Sequence, residues 1–242
     1  MPVDRTFQDL AVRRSRRGFA VESPEFYSWD EDPREVIDTA ETVQSARQCA
    51  REREITYTID AQDRISALGG AWSEFARRND APELEPESVV GRRIWDFIRG
   101  KQVQRLYEDA MHLVRHRGKQ LEIPARCDSP THARWTRQIL VPGEHGEILQ
   151  RSIVVHEAHR VFAPILDRTV QRGAFALPIC DFCCDCLLDS RWIALEDALA
   201  RLGPDDQGEM PQLQRSACPH CASVFRAEMR RSPSVRPLRK AG

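Results

Sequence analysis

The residues whose spacing most directly implies chemistry are cysteines. The chain has eight: Cys49, Cys127, Cys180, Cys183, Cys184, Cys186, Cys218 and Cys221, and all but the first two lie beyond residue 179. Cys180 and Cys183 form one CxxC pair; Cys218 and Cys221 form a second within Cys218-Pro219-His220-Cys221. A CxxC turn presents two thiolates to one ion, and two such turns complete a tetrahedral four-sulfur site, the ligand set of structural Zn2+. Residues 184–217 separate the pairs, a longer gap than in a common zinc ribbon, so an inserted helix is needed. Cys184, Cys186 and His220 are alternative ligands, because Cys183 and Cys186 also make a CxxC pair and His220 can compete with a thiolate. No secretion signal precedes the cluster, so ligands or redox thiols are expected here rather than a disulfide framework. Structural zinc is the preferred reading, as a staple for a segment too small to bury a core of its own. A redox switch that releases zinc on oxidation, motivated by the surplus thiols, and an iron–sulfur cluster are the alternatives.

Other candidates are sparser. His112 and His116 are spaced i, i+4, which can chelate a metal, but helical phase puts them opposite the apolar stripe, facing water. Cys127 is expected at the inward face of a strand or just beyond its end, flanked by Arg126 and Asp128. Arg137 shares a strand face with Trp135 and Ile139, from which it can hold a carboxylate or sit at a rim. No nucleophile–base pair, glycine-rich phosphate loop or HExxH pattern is present, so no catalytic residues are assigned.

These residues must be positioned by strands and helices that can be read from periodicity. Ile55–Asp60 and Arg64–Leu68 are strand-like and flank the turn Asp60-Ala61-Gln62-Asp63. Leu68-Gly69-Gly70 is expected to break the second strand. A short helix over Ala71–Arg78 buries Trp72, Phe75 and Ala76. From Val103 to Arg117, Val103, Leu106, Tyr107, Ala110, Leu113 and Val114 share one helical face, and Gly118 ends the helix. Leu121, Ile123 and Ala125 alternate as a strand, then Trp135, Arg137, Ile139 and Val141; Ile148–Glu157 is the last strand. Residues 164–172 are a candidate helix in the connector, and Trp192–Leu202 is the helix inserted between the CxxC pairs. Strands, then helices, then strands predict an α+β fold, an antiparallel sheet with helices on one face.

Residues 55–157 resemble a PAS domain. The resemblance rests on the paired strands ITYTID and RISAL, on Trp72-Ser73-Glu74-Phe75-Ala76, on Gly91–Ile98, on the long helix ending at Gly118 and on the three closing strands. Arg126-Cys127-Asp128-Ser129-Pro130 is similar to a segment of short bacterial PAS proteins. The resemblance implies a five-stranded sheet enclosing a small-molecule pocket, lined by Trp72, Trp95, Tyr107, Cys127 and Arg137, and a role in sensing, dimerising and relaying signals. Flavin-type PAS photosensors place a cysteine in the segment matching Gly91–Ile98. Here Arg93-Ile94-Trp95 stands there, so no flavin photoadduct is expected, and with His112 and His116 facing water no haem is expected. Residues 178–221 resemble a cysteine module that often follows bacterial PAS or receiver domains, through Cys180, Cys183, Trp192, Glu196, Cys218, Pro219 and Cys221. Cys184-Asp185-Cys186 departs from it where basic residues are more usual.

At 242 residues with a net charge of -1, the chain can hold two modest domains and lacks a global nucleic-acid-type field. No run approaches the length of a membrane helix. Ser15-Arg16-Arg17-Gly18-Phe19 looks like a twin-arginine signal, but Glu22-Ser23-Pro24-Glu25 stands where an apolar region should follow. The expected organisation is a flexible charged arm and lead-in helix over 1–54, a PAS-like sensor domain over 55–159, a connector over 160–177, a cysteine module over 178–225 and a basic disordered tail over 226–242. The expected function is that of a cytoplasmic, non-enzymatic signalling protein with a protein partner, and a homodimer formed through the sensor domain and lead-in helix. A DNA-binding regulator using the zinc module and basic tail is a less favoured alternative. No membrane partner is expected.

Overall fold

The computed structural model describes residues 54–79, 81–203 and 208–238. The expected charged arm and lead-in helix lie outside these residues, apart from Glu54. The first half holds β1 (Glu54–Ile59), β2 (Ile65–Gly70), α1 (Trp72–Arg78), α2 (Pro86–Val89), α3 (Lys101–Arg117), β3 (Leu121–Arg126), β4 (His132–Pro142) and β5 (Ile148–His159). The second half holds β6 (Arg172–Cys180), β7 (Cys186–Leu188), β8 (Arg191–Ile193), α4 (Leu195–Arg201), β9 (Met210–Ser216) and α5 (Pro219–Arg231). The fold is α+β.

β1 to β5 form one five-stranded sheet in the order β2-β1-β5-β4-β3, with every neighbouring pair antiparallel. Its first turn is set by Asp60, whose Oδ1 accepts from the backbone N–H groups of Gln62 and Arg64, both at 2.8 Å. β2 runs through Gly69 and Gly70 instead of breaking at them. Gly70 has φ +64, and a Cβ there would lie 2.1 Å from the Glu54 carbonyl oxygen, so only glycine lets β2 close on β1 at this point.

α3 packs against β4 and β5 through Val103, Leu106, Ala110 and Val114, joined by Met111. Gly118 ends it in the left-handed conformation, φ 58. Arg115 ties two turns of the sheet together. Its Nη1 donates to Asp63 Oδ1 at 2.7 Å, Nη2 to the Asp60 carbonyl at 2.7 Å and Nε to the Gly146 carbonyl at 2.9 Å.

The second sheet is four-stranded, in the order β8-β7-β6-β9, with β6 and β9 parallel. Several expectations change here. The connector helix over 164–172 is replaced by a single 3-10 turn, Pro164–Leu166, and by the start of β6. Trp192 belongs to β8, so the inserted helix begins only at Leu195. The described residues of the expected tail, 226–238, are not disordered. α5 continues to Arg231, because Ala222 and Phe225 bury its inner face. The chain then returns to the first sheet, with Val235 N–H donating to the Gly118 carbonyl at 2.8 Å and Leu238 N–H to the Pro142 carbonyl at 2.9 Å.

The described residues form two cores. The first joins the five-stranded sheet and α3 to Cys180, Phe182, Ala217, Cys218, Ala222 and Phe225 of the cysteine region. The second comprises Ile165, Leu177, Ile179, Cys184, Cys186, Leu195, Ala198 and Met210. All described residues fall in one compact unit.

Candidate metal centre

Each half of the cysteine cluster is built by local geometry. β6 ends at Cys180, and the chain turns so that Cys184 N–H donates to the Cys180 carbonyl at 2.9 Å. Cys184 has φ 64, the left-handed conformation that closes the turn and sends the chain into β7. On the other side Cys218 is the N-cap of α5 and Pro219 occupies its first turn, where a missing N–H costs nothing. The Cys218 sulfur accepts from Cys221 N–H at 3.3 Å, as a capping oxygen would.

The Sγ atoms of Cys180, Cys183, Cys218 and Cys221 all lie within 4.8 Å of one another. Cys183 and Cys218 are 3.8 Å apart. A tetrahedron with metal–sulfur bonds of about 2.3 Å has sulfur–sulfur edges of about 3.8 Å, so the donor set and its size fit a four-sulfur metal ion. The four thiols are unequal. Hydrogen bonds from the Cys183 and Cys221 thiols, with backbone N–H groups of Cys218 and Cys183, hold Cys180 far below an ordinary thiol despite its burial, while Cys183 and Cys221 are raised by their bonds to Cys180 and Cys218 is raised by burial. Asp181 is pushed up to about 6, by burial first, although Arg215 Nη1 donates to it at 3.1 Å.

The alternative ligands lie elsewhere. Cys184 and Cys186 are buried in the second core, where the Cys186 thiol reaches the Cys184 carbonyl at 3.8 Å, and burial pushes the Cys184 thiol above the ordinary range. His220 is exposed on the first turn of α5 and is not among the four clustered residues.

The five residues expected around a pocket are divided among different surroundings. Trp72 packs edge-on to Tyr57 at 5.9 Å and donates from Nε1 to the Leu84 carbonyl at 2.6 Å. Trp95 donates from Nε1 to Asp63 Oδ2 at 2.8 Å. Tyr107 leans toward the cysteine region, stacked on Phe182 at 6.2 Å and edge-on to Phe225 at 5.7 Å. Cys127 follows the end of β3, and burial raises its thiol.

Arg137 does not point into the sheet's core face. The bulge opposite Trp135 and Thr136 lies in β5, where Val155 is the extra residue, and β4 alternates without a break along β3. Leu140, Gln138 and Thr136 stand opposite Leu121, Ile123 and Ala125 of the core face, and Arg137 turns the other way, paired with Glu122 at 3.0 Å. His112 and His116 are exposed on α3, their rings 4.5 Å apart.

Two groups were not anticipated from the sequence. Thr136, Gln138, Gln150 and Ser152 make a polar ladder on the sheet. Gln150 Nε2 donates to Gln138 Oε1 at 2.7 Å, and Gln138 Nε2 donates to Ser152 Oγ at 2.9 Å and to Thr136 Oγ1 at 3.1 Å. Their only sequence signal is the i, i+2 placement of polar residues in β4 and again in β5. The second is the Tyr107–Phe182–Phe225 aromatic cluster, whose members lie far apart in sequence.

No model of a known family matches the chain, and no curated protein matches it. Among solved structures, the PAS domain of an HTR-like protein from Haloarcula marismortui is similar at 14% identity and a TM-score of 0.25, covering 50% of this chain and 93% of that chain. The fold and site define an α+β protein whose five-stranded antiparallel sheet shares its core with a cluster of four cysteines able to hold a metal ion. No helix among the described residues is long and apolar enough to cross a membrane.

Proposed function

We propose that the chain is a cytoplasmic, non-catalytic signalling protein in which a PAS-type sensor domain carries a zinc-stapled interaction module. The observation behind this reading is that Cys180 and Cys218, two of the four clustered thiols, belong to the same core as the sheet and α3. A Zn2+ ion held by Cys180, Cys183, Cys218 and Cys221 would fix the end of β6 to the start of α5. The aromatic cluster of α3, the first CxxC turn and α5 gives the sheet a rigid contact with that staple. A ligand or partner that favours one state of the sheet domain would shift the module with it by population shift. The output is a protein partner, with a homodimer formed through the sensor domain and lead-in helix.

The test is elemental and mass analysis of the natively purified protein. One zinc per chain, lost in Cys180→Ser and Cys218→Ser, supports the reading, and a co-purifying small molecule identifies the sensed ligand. Metal-free protein with four titratable thiols sinks the zinc assignment. Disulfides that form reversibly as zinc leaves would instead favour the thiol switch.

A further inference from the structure

A second charged group lies where the ends of β3 and β5 meet α4. Asp128, whose side chain is 1% exposed, is its inner anion. It accepts from Arg126 Nη2 at 2.5 Å and Nε at 3.2 Å, from Arg160 Nη1 at 2.8 Å and from the Arg134 backbone N–H at 3.1 Å. The Arg126 and Arg160 side chains are 14% and 6% exposed. Two buried cations therefore share one buried carboxylate. The second counter-charge comes from outside: Glu196 of α4, whose side chain is 53% exposed, accepts on Oε1 from Arg126 Nη2 at 3.3 Å and Arg160 Nη2 at 3.2 Å.

The inner and outer contacts differ in kind. Asp128 uses both oxygens, Oδ2 at 2.5 and 2.8 Å and Oδ1 at 3.1 and 3.2 Å, whereas Glu196 presents one oxygen, at 3.2 and 3.3 Å, the long end of hydrogen bonding. Arg160 Nε is buried and has no hydrogen-bond partner, which is costly for a charged donor. Without Glu196, Asp128 would be the one carboxylate paired with both arginines among the described residues, leaving donors to spare. Paired guanidinium groups of this kind suit oxyanions, which they bind through several N–H donors at once. A phosphate offers more acceptor oxygens than the single one Glu196 supplies.

We propose that Arg126 and Arg160 form an oxyanion site of the phosphate class that Glu196 fills from within the chain, and that phosphate entering it releases α4 from the ends of β3 and β5. α4 packs by Leu195 and Ala198 into the second core, so its release would loosen that core while the shared aromatic core stays closed. The inference goes beyond the proposed function and requires no metal.

The test uses the full chain as purified, with inorganic phosphate as the probe and sodium chloride matched for ionic strength. Glu196→Gln removes one half-exposed carboxylate and leaves both arginines and Asp128 in place. Phosphate is expected to bind this variant about tenfold more tightly than wild type, the scale of losing two exposed ion-pair contacts. In wild type, phosphate is expected to speed amide exchange across Leu195–Arg201 where chloride does not. Equal phosphate affinity in both proteins, or equal acceleration by chloride, overturns the proposal and reduces the contact to a screened surface ion pair.

Discussion

The backbone N–H of Arg126 donates to the carbonyl of Phe182 at 2.7 Å. This one bond joins the outer edge of the five-stranded sheet to the turn that carries Cys180 and Cys183. β3 is an edge strand and contains Pro124, which has no N–H to offer a further strand. The cysteine region covers this edge, and Phe182 continues inward to stack against Tyr107.

Phe225 is fully buried between Tyr107 and Phe182. Phe225→Ala should lower stability by about 3–5 kcal/mol, the range for emptying a large aromatic site. Urea unfolding followed by both far-UV and near-UV signals should still give one coincident transition. Two separate transitions would show that the sheet and the cysteine region fold independently.

Gly100 has φ +86 just before α3, and a Cβ there would lie 2.2 Å from the Arg215 carbonyl oxygen of β9. Gly100→Ala should cost more than the roughly 1–2 kcal/mol of left-handed backbone alone, because the start of α3 must also move off β9. Thermal unfolding measures the loss, and Gly203→Ala, with nothing within 4 Å of the added Cβ, is the control.

Gln138 links the polar ladder on the sheet. Gln138→Leu leaves the buried Gln150 amide with only a long 3.5 Å contact to the Arg151 carbonyl and should destabilise by about 1–3 kcal/mol. The double change Gln138→Leu with Gln150→Leu should recover much of that loss, because no orphaned amide remains. A denaturation cycle over the four proteins reads the coupling; strict additivity would argue against the ladder.

The Glu196 carboxyl is raised by burial but held below the usual 4.5 by Arg126, by its own backbone N–H and by Arg160, with Asp185 and Cys186 also near it. A carboxyl depressed by folding stabilises the native state above its unfolded value and loses that contribution as pH falls through the folded one. Wild type should therefore lose stability faster than Glu196→Gln below about pH 4.5. Parallel acid-unfolding curves would show that the two arginines do not hold this carboxylate.

Much of the fold was legible in the sequence because it depends on local repeats. The apolar stripe of α3, its glycine stop, the order of strands and the two CxxC pairs follow from 3.6-residue and two-residue periodicity and from turn chemistry, which act over a few residues. Alternation groups Arg137 with Trp135 and Ile139 but does not say which face of β4 meets the helix; strand pairing and packing make that choice, and Arg137 lies away from the core face. The segment after 225 is ordered to residue 238 although its charges suggest a solvated tail, because Phe225 and the hydrogen bonds to Gly118 and Pro142 depend on partners about a hundred residues away. By itself the sequence determined an α+β chain with two thiol pairs. Only the tertiary structure decided which four sulfurs converge, that Cys184 and Cys186 turn away into another core, and that the cysteine region shares its interior with the sheet. Those outcomes rest on packing between distant segments, where burial and hydrogen bonding select one arrangement among many that the local pattern permits.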